Sequence, residues 1–424
     1  MAKTYESYKD SGIAWIGEIP SEWKVKRLGN FYNPRNEKVS DKDFAPLSVT
    51  MKGIVPQLET AAKTNDGDNR KLVRKGDFAI NSRSDRRGSC GISEYDGSIS
   101  LINTVLCPKG KMDAGFYNWL FHTTMFADEF YKWGHGIVDD LWTTKWSDMK
   151  NIYVVEPPMQ EQHSIASFLD TKCGEIDSLI SLQEEMISEL QAYKQSVITE
   201  AVTKGLDPNA KMKDSGVEWI GEIPEGWKVS PLKYIIKGHL QYGANESGVL
   251  YEEGLPRYVR ITDILDNKLR EDIQKQSLTE QQAEGFILKN NDILFARSGG
   301  TVGKSFIYKS EYGRCAFAGY LIKASINDDN DAEFVYFFTQ SSAYDEWKRR
   351  IFIQATIQNI GADKYSQLEI PLPFKEMQTK IVSFLKDKTS QIDSLISLKQ
   401  QKIDELKSYK KSIIYEYVTG KKRV

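Results

Sequence analysis

The sequence predicts an α+β protein in which two mixed α/β domains are joined and spaced by two long antiparallel coiled-coil helices, as an internal repeat with pseudo-twofold symmetry. Three observations predict this fold. Two pairs of segments are nearly identical, one of these pairs carries a long apolar stripe at helical spacing, and the intervening sequence has strand-like runs separated by short helical stretches. A chain of 424 residues is long enough for two to four domains of roughly 100–200 residues each.

The duplication can be read directly. Residues 8–25 (YKDSGIAWIGEIPSEWKV) align without gaps onto residues 212–229, with 13 of 18 positions identical, and residues 162–203 align onto residues 378–419. We call residues 8–25 and 212–229 the frame segments. The sequence thus predicts four parts: residues 1–156 with a first domain and its frame segment, residues 157–205 with a central long helix, residues 206–372 with a second domain and its frame segment, and residues 373–424 with a distal long helix.

The two domains read as mixed α/β. Runs rich in β-branched and aromatic residues predict strands at 78–81, 99–106 and 152–155 in the first domain, and at 258–261, 293–296, 305–308 and 320–323 in the second. Helical stretches are predicted near 114–130 and 331–348.

Each long helix has one apolar stripe. In the central helix it consists of Ile176, Leu179, Ile180, Ile187, Leu190, Tyr193 and Val197, and in the distal helix of Ile392, Leu395, Ile396, Ile403, Leu406, Tyr409 and Ile413. A helix of about 60 Å with one such stripe needs a partner of similar length, so we expect the two helices to pair antiparallel, with Gln183 and Lys399 at equivalent polar positions. The alternative is that each helix packs only on its own domain.

The frame segments predict a second contact. Since residues 212–229 follow the central helix, we expect residues 8–25 to pack in the same way on the end of the distal helix. The tryptophans Trp15, Trp23, Trp219 and Trp227 belong to the frame segments, which favours packing over a stacking platform for a ligand.

Several classes of protein are disfavoured. No apolar stretch approaches the roughly 18 residues of a membrane helix, and four scattered cysteines suit a reducing compartment, so we expect a cytoplasmic protein. Residues 298–305 (SGGTVGKS) miss the first glycine of a phosphate-binding P-loop and lead into a strand pattern instead of a helix, which predicts a glycine-rich turn between two strands. The four histidines are not spaced for zinc, and no motif for catalysis is present, so we expect neither a metal site nor an enzyme.

Basic residues are concentrated in the first domain although the chain has a net charge of −2. Between residues 69 and 87, seven cations face only Asp77 and Asp85, a pattern typical of a surface that follows a phosphate backbone. The predicted nucleic-acid-binding residues here are Arg70, Lys71, Arg74, Lys75, Asn81, Arg83, Arg86 and Arg87.

In the second domain the prediction rests on the glycine-rich turn, with Arg314 expected near it, and on a polar loop whose side chains can pair with base edges. The predicted residues are Arg297, Ser298, Thr301, Lys304, Gln354, Thr356, Gln358 and Asn359. The alternative for each of them is an ordinary solvated surface residue.

This layout resembles the specificity subunit of type I restriction-modification systems. The resemblance covers nearly the whole chain and rests on the duplicated order of frame segment, variable domain and long helix, on Pro157-Pro158-Met159-Gln160-Glu161-Gln162, and on residues 75–80 (KGDFAI) and 291–296 (NDILFA). The second copy departs at residues 373–378 (PFKEMQ), which leaves in doubt only contacts at the start of that helix.

The resemblance implies two target-recognition domains that each read one half of a split DNA target. It also implies two methyltransferase subunits, restriction subunits and double-stranded DNA as partners, with S-adenosylmethionine, ATP and Mg bound by those partners and no cofactor bound by this chain. A coiled-coil scaffold without a DNA role and a modification-only system remain as alternatives, whereas an enzyme on a duplicated fold is disfavoured because no acid/base or metal motif is present.

Overall fold

The computed structural model describes residues 4–59, 66–136, 142–265, 267–353 and 359–424. They form two compact units: unit 1 comprises Met1–Glu184 and Gln400–Val424, and unit 2 comprises Glu185–Lys399. Each unit therefore contains one mixed α/β domain, the first part of the long helix that follows it, and the last part of the other long helix.

Unit 1 is built around antiparallel sheets. Its strands are β1 (Tyr8–Asp10), β2 (Glu18–Pro20), β3 (Lys24–Arg27), β4 (Tyr32–Pro34), β5 (Lys38–Val39), β6 (Leu47–Thr50), β7 (Gly53–Pro56), β8 (Arg70–Val73), β9 (Phe78–Asn81), β10 (Cys90–Ile92), β11 (Gly97–Ile99), β12 (Asn103–Pro108) and β13 (Tyr153–Glu156). Its helices are α1 (Ala114–Phe121), α2 (Thr124–Lys132), α3 (Trp146–Met149) and the first part of α4 (Met159–Lys204). The main sheet has the order β10-β9-β12-β4, and a smaller one has the order β11-β8-β5.

Unit 2 repeats this plan with its own variations. Its strands are β14 (Met212–Asp214), β15 (Glu222–Pro224), β16 (Lys228–Pro231), β17 (Gln241–Tyr242), β18 (Val249–Leu250), β19 (Arg257–Val259), β20 (Ile264–Leu265), β21 (Lys268–Leu269), β22 (Gln276–Ser277), β23 (Ile293–Ala296), β24 (Ser305–Ile307), β25 (Cys315–Phe317), β26 (Leu321–Ala324) and β27 (Glu369–Leu372). Its helices are α5 (Glu280–Ala283), α6 (Ala332–Phe338), α7 (Ser342–Ile353), α8 (Ala362–Ser366) and the first part of α9 (Lys375–Val418). The sheets have the orders β17-β26-β23-β24 and β18-β22-β19-β25, with β19 and β25 parallel.

The predicted α+β class is confirmed, and the differences from the predicted elements have local causes. Strand 99–106 divides into β11 and β12 around a turn, and the helical stretch 114–130 divides into α1 and α2. The helix break lies at Thr123, whose hydroxyl accepts a hydrogen bond from the Phe126 amide and donates one to the Leu120 carbonyl. A threonine in this position ends one helix and caps the next. Ser341 stands at the corresponding break between α6 and α7, where its hydroxyl accepts a bond from the Tyr344 amide.

The two long helices pair antiparallel within each unit, as predicted. In unit 1, Asp177 of α4 binds Lys410 of α9 at 2.6 Å, and Phe168 packs on Tyr417. In unit 2, Lys194 of α4 binds Asp393 of α9 at 2.7 Å. Asp177 and Asp393 are equivalent at the 216-residue offset, as are Lys194 and Lys410, so the duplication produces the same ion pair twice.

The predicted apolar stripe is only partly correct. Ile176, Ile392, Ile403 and Ile413 are buried, whereas Leu179, Tyr193, Leu395 and Tyr409 expose about half of their surface, between 47% and 57%. A pair of helices covers only a narrow seam of each, so positions at the edge of a wide stripe stay in solvent. Of the two equivalent polar positions, Lys399 reaches the sulfur of Met186 on the other helix at 3.3 Å.

The frame segments pack on the ends of the long helices. In unit 1, Ile13, Ile16, Ile19 and Trp23 share a core with Ile413, Ile414, Tyr417 and Val418, and the Tyr415 hydroxyl donates a hydrogen bond to the Trp15 carbonyl at 3.3 Å. In unit 2, Val217, Ile223 and Trp227 are buried, and Ile223 and Trp227 share a core with Ile198, Ala201 and Val202. The predicted contact of residues 8–25 with the distal helix is confirmed, and Trp23 and Trp227 are packing residues.

A buried glutamine fixes the start of each long helix. The Gln162 side chain donates to the Pro157 carbonyl at 2.8 Å and accepts from the Asp113 amide at 3.0 Å. Gln378 makes the same two contacts with Pro373 and Asp331. Thus the last residue of each proline-glutamine motif ties its helix to the N-cap of α1 or α6, and the departure at residues 373–378 does not affect this contact.

Candidate nucleic-acid interface

Each unit presents one β-hairpin with an eight-residue loop. In unit 1 the antiparallel strands β9 and β10 enclose residues 82–89, and in unit 2 the antiparallel strands β23 and β24 enclose residues 297–304. We call these the first and second hairpin loops. The second is the predicted glycine-rich turn between two strands, and Ser305–Ile307 is the strand that argues against a P-loop.

The base of the first hairpin loop is hydrogen-bonded to α2 and to the segment before α3. The Tyr131 hydroxyl donates to the carbonyls of Asn81 and Arg86, both at 3.2 Å. The Thr144 amide donates to the Ser82 carbonyl at 3.0 Å, and Arg83 forms an antiparallel bridge with Thr143. A loop fixed at its base in this way presents its side chains from a defined backbone.

The second hairpin loop is supported by α7, by α8 and by the segment before α8. The Tyr365 hydroxyl donates to the Ala296 carbonyl at 3.1 Å, and the Tyr344 hydroxyl donates to the Gly303 carbonyl at 2.8 Å. The Ile360 amide donates to the Arg297 carbonyl at 2.9 Å, and Ser298 bridges Asn359. The geometry of the hairpin base is thus repeated although the two loop sequences differ.

Two of the predicted binding residues of unit 1 make hydrogen bonds within the domain that stabilise its fold. Arg70 is 3% exposed, and its guanidinium donates to the hydroxyl and the carbonyl of Ser98 at 2.8 and 3.0 Å. The Lys71 amine donates to the Asn103 carbonyl at 2.6 Å. Burial lowers the pKa of both side chains, as expected for cations withdrawn from water. The structure therefore places Arg70 in the core and Lys71 against β12, and neither enters the interface proposed below.

Three more predicted residues lie near the first hairpin without forming its loop. Arg74 pairs with Asp96 at 3.2 Å, and Lys75 pairs with Glu94 at 3.3 Å in the turn before β9. Asn81 is buried at the end of β9, where its side-chain oxygen accepts a bond from the Arg83 amide at 3.0 Å. Asn81 thus orients the loop from within.

Three exposed cations of unit 1 lie on the loop itself. Arg83, Arg86 and Arg87 are all exposed. The Arg86 side chain, 70% exposed, lies 3.7 Å from Asp85, and the Arg87 side chain, 57% exposed, lies 3.3 Å from Asp128 and over the ring of Tyr131. Such exposed ion pairs contribute little to stability and exchange readily for a phosphate.

The second hairpin loop carries fewer exposed cations. Arg297 is half-buried, with its guanidinium 4.9 Å from the centre of the Tyr242 ring and in contact with the Gly319 carbonyl. Lys304 is exposed, and Ser298 and Thr301 are half-buried. Asn359 is exposed beside this loop, whereas the predicted residues Gln354, Thr356 and Gln358 lie outside the described residues. Arg314 does not lie near the turn: it follows the other end of β24 and binds Glu280.

The sequence prediction missed Thr143. It pairs with Arg83 as Asn359 pairs with Ser298, and Asn359 was predicted. Extending the 216-residue offset of the long helices back into the domains relates 143 to 359, so the duplication contained the signal.

Comparison with known proteins agrees with this architecture. Residues 224–408 match the family described as the type I restriction modification DNA specificity domain. The chain is 25% identical over 396 residues to the type I restriction enzyme MjaVIII specificity subunit of Methanocaldococcus jannaschii, covering 87% of this chain and 86% of that protein. It is 27% identical over 247 residues to the EcoKI specificity subunit of Escherichia coli K12, covering 55% and 50%.

Two solved structures share the fold. One, from work on complex assembly and conformational transition of the type I R-M system, has a TM-score of 0.72 at 15% identity, covering 94% of this chain and 98% of the other. The HsdS subunit from Thermoanaerobacter tengcongensis has a TM-score of 0.51 at 17% identity, covering 95% and 98%.

The match to a DNA specificity domain and the likeness to curated specificity subunits define a protein that takes part in sequence-specific DNA recognition, here with a duplicated fold. Over most of its length the chain is similar to the specificity subunits of type I restriction-modification systems, and residues 224–408 match the DNA specificity domain of these systems. Such subunits are non-catalytic, and the chemistry lies in other subunits of the complex.

Among the described residues no cluster of three or more metal-ligating side chains occurs, and none of the helices is long and apolar enough to cross a membrane.

Proposed function

We propose that each unit reads one half of a split DNA target with its hairpin loop and the segment bridged to that loop. The observation that carries this proposal is the repetition of the same supported hairpin base, with Arg83, Arg86 and Arg87 exposed on the first loop and Lys304 on the second. Cations on a fixed loop bind phosphates, and polar side chains beside them can pair with base edges.

The proposed partners are two methyltransferase subunits, with restriction subunits in a full system. The equivalence of the two units supports a stoichiometry of two, because each unit exposes the same apolar trio on its long helices: Leu179, Leu182 and Tyr409 in unit 1, and Leu395, Leu398 and Tyr193 in unit 2. Exposed apolar groups of this kind are typical of protein interfaces. S-adenosylmethionine, ATP and Mg would be bound by those partners, none by this chain, and the complex would act in the cytoplasm.

The stoichiometry can be tested by native mass spectrometry of the chain with its methyltransferase. We expect Leu179→Glu with Leu182→Glu to leave one methyltransferase bound, and the equivalent pair Leu395→Glu with Leu398→Glu to do the same. Two bound methyltransferases in both variants would place the contact elsewhere.

DNA specificity can be tested by methylome sequencing of cells that express the methyltransferase with and without this chain. A methylated split motif that depends on the chain supports the proposal. Methylation that is the same without the chain contradicts it and favours the scaffold alternative.

A further inference from the structure

The hairpin base places one pair of positions in each unit under the same backbone constraint. In unit 1, Arg83 bridges Thr143 while the Thr144 amide bonds to Ser82. In unit 2, Ser298 bridges Asn359 while the Ile360 amide bonds to Arg297. The pairs 83/143 and 298/359 are therefore structural equivalents, although their side chains differ completely.

The neighbours of these positions point inward. Ser82 is 4% exposed, and Ile360 is fully buried. Side chains alternate along an extended backbone, so Arg83 and Asn359 point outward, and both are exposed. Ser82 and Ile360 are thus fixed in the core, whereas Arg83 and Asn359 face solvent.

The chemistry of the exposed side chains distinguishes them from the other loop residues. Arg86 and Arg87 each have an acidic neighbour, Asp85 and Asp128, whereas Arg83 makes no ion pair with any described residue. The Arg83 backbone is fixed further by its amide bond to the Asn81 side chain. Likewise, the side-chain amide of Asn359 makes no hydrogen bond with the described part of the chain.

Arginine pairs bidentately with O6 and N7 of guanine, and asparagine with N6 and N7 of adenine. We infer that Arg83 reads a guanine in the half-site of unit 1 and that Asn359 reads an adenine in the half-site of unit 2. This inference rests on the proposed function. It assigns base reading to one position in each unit and leaves Arg86 and Arg87 to the phosphates.

The test uses the full chain in complex with its methyltransferase, incubated with a library of randomised DNA duplexes whose methylated members are sequenced. Arg83→Ala should reduce the preference for guanine at one position of one half-site by about 5- to 150-fold and leave the other half-site unchanged. Asn359→Ala should reduce the preference for adenine at one position of the other half-site by a similar factor. The half-site of the unsubstituted unit reports an intact complex, and the remaining positions of the affected half-site report correct folding of the substituted unit.

Two substitutions of the same residue types serve as controls. Arg27→Ala in β3, where Arg27 contacts Tyr153, and Asn209→Ala in the exposed segment after α4 should leave both half-sites unchanged. A gain of preference is a stronger test: Ser298→Arg with Asn359→Thr gives unit 2 the pair of unit 1 and should replace adenine by guanine at that position.

The outcomes are separable. If Arg83→Ala lowers the methylation of all sequences to the same extent, Arg83 is a phosphate contact and the inference is overturned. Effects of both variants in the same half-site would also overturn it. If the wild-type complex yields no split motif, the proposed function itself fails.

Discussion

Arg86 and Arg87 are the residues whose exposure and charge fit a phosphate contact best. Their exposed ion pairs with Asp85 and Asp128 are weak in water and can be exchanged for DNA phosphates. We expect the double variant Arg86→Ala, Arg87→Ala to weaken binding to all duplexes alike and to reduce the slope of log K against log salt by about 2, roughly one for each lost contact. Fluorescence anisotropy over a salt series measures both effects.

The Arg27→Ala variant is the matched control for that experiment. An unchanged affinity and salt slope in the double variant would remove the first hairpin loop from the phosphate contacts.

Arg70 is expected to behave in the opposite way. Its guanidinium is buried against Ser98, so Arg70→Met should leave the Ser98 acceptors unsatisfied and lower the free energy of unfolding by about 1–3 kcal/mol. The folded fraction should bind DNA with unchanged affinity and salt slope. Urea unfolding and anisotropy on the same sample measure the two quantities, and a stable variant with a lowered salt slope would return Arg70 to the interface.

These residues show what charge in the sequence can and cannot predict. The basic stretch contains the first hairpin loop, but charge alone could not separate Arg70 from Arg86, because the direction of a side chain depends on which strands pair. Arg70 lies between β5 and β11 in the smaller sheet, whereas Arg86 lies in a loop. The sequence shows both arginines but not which strands pair with each other.

At the scale of elements, one ion-pair network joins α6, the turn after β24 and α9. Glu333, in the first turn of α6, binds Lys309 and Lys386. Burial raises the pKa of this carboxyl, but the hydrogen bonds from the two lysines outweigh it, and the net pKa is lowered. A carboxyl whose pKa is lower in the folded state contributes stability above its unfolded pKa, and this contribution disappears as the pH falls through the folded value.

We therefore expect Glu333→Gln to be less stable than the wild type at about pH 7 and the difference to shrink as the pH falls below the ordinary glutamate pKa of roughly 4.3 and through the lowered pKa of the folded state. Urea unfolding at several pH values measures it. Glu311→Gln, an exposed glutamate in the turn after β24, is the control. A difference that persists unchanged at acid pH would show that the network does not depend on the charge of Glu333.

The elements themselves were largely predictable, because turns and helix starts have local signals. Strands 78–81 and 293–296 have the predicted bounds. The burial of the apolar stripe on the long helices was less predictable. The spacing of Leu179 and Leu395 is compatible with the interface between the two helices, but only the direction of the partner helix determines which residues of the stripe it covers.

At the scale of the whole molecule, α4 and α9 run without interruption from one unit into the other, with 46 and 44 residues. Removing residues 180–186 from α4 and residues 396–402 from α9 keeps both Asp–Lys pairs and shortens each helix by about 10 Å. We expect the preferred spacer between the half-sites to become shorter by up to about three base pairs, with both half-sites unchanged. Duplexes with a graded spacer measure this.

Removing the seven residues from α4 alone is the control, since it breaks the pairing of the helices and should weaken binding at every spacer length. Retained binding with an unchanged spacer after both deletions would show that the helices do not set the spacing.

If each unit reads its own half-site, the frame segments and long helices should accept either domain. The most direct test replaces residues 230–372 by a second copy of residues 26–156, between the unchanged frame segments and long helices, and determines the methylated motif in cells with the methyltransferase. We expect the motif to be an inverted repeat of the first half-site. A motif that still contains the second half-site would contradict it.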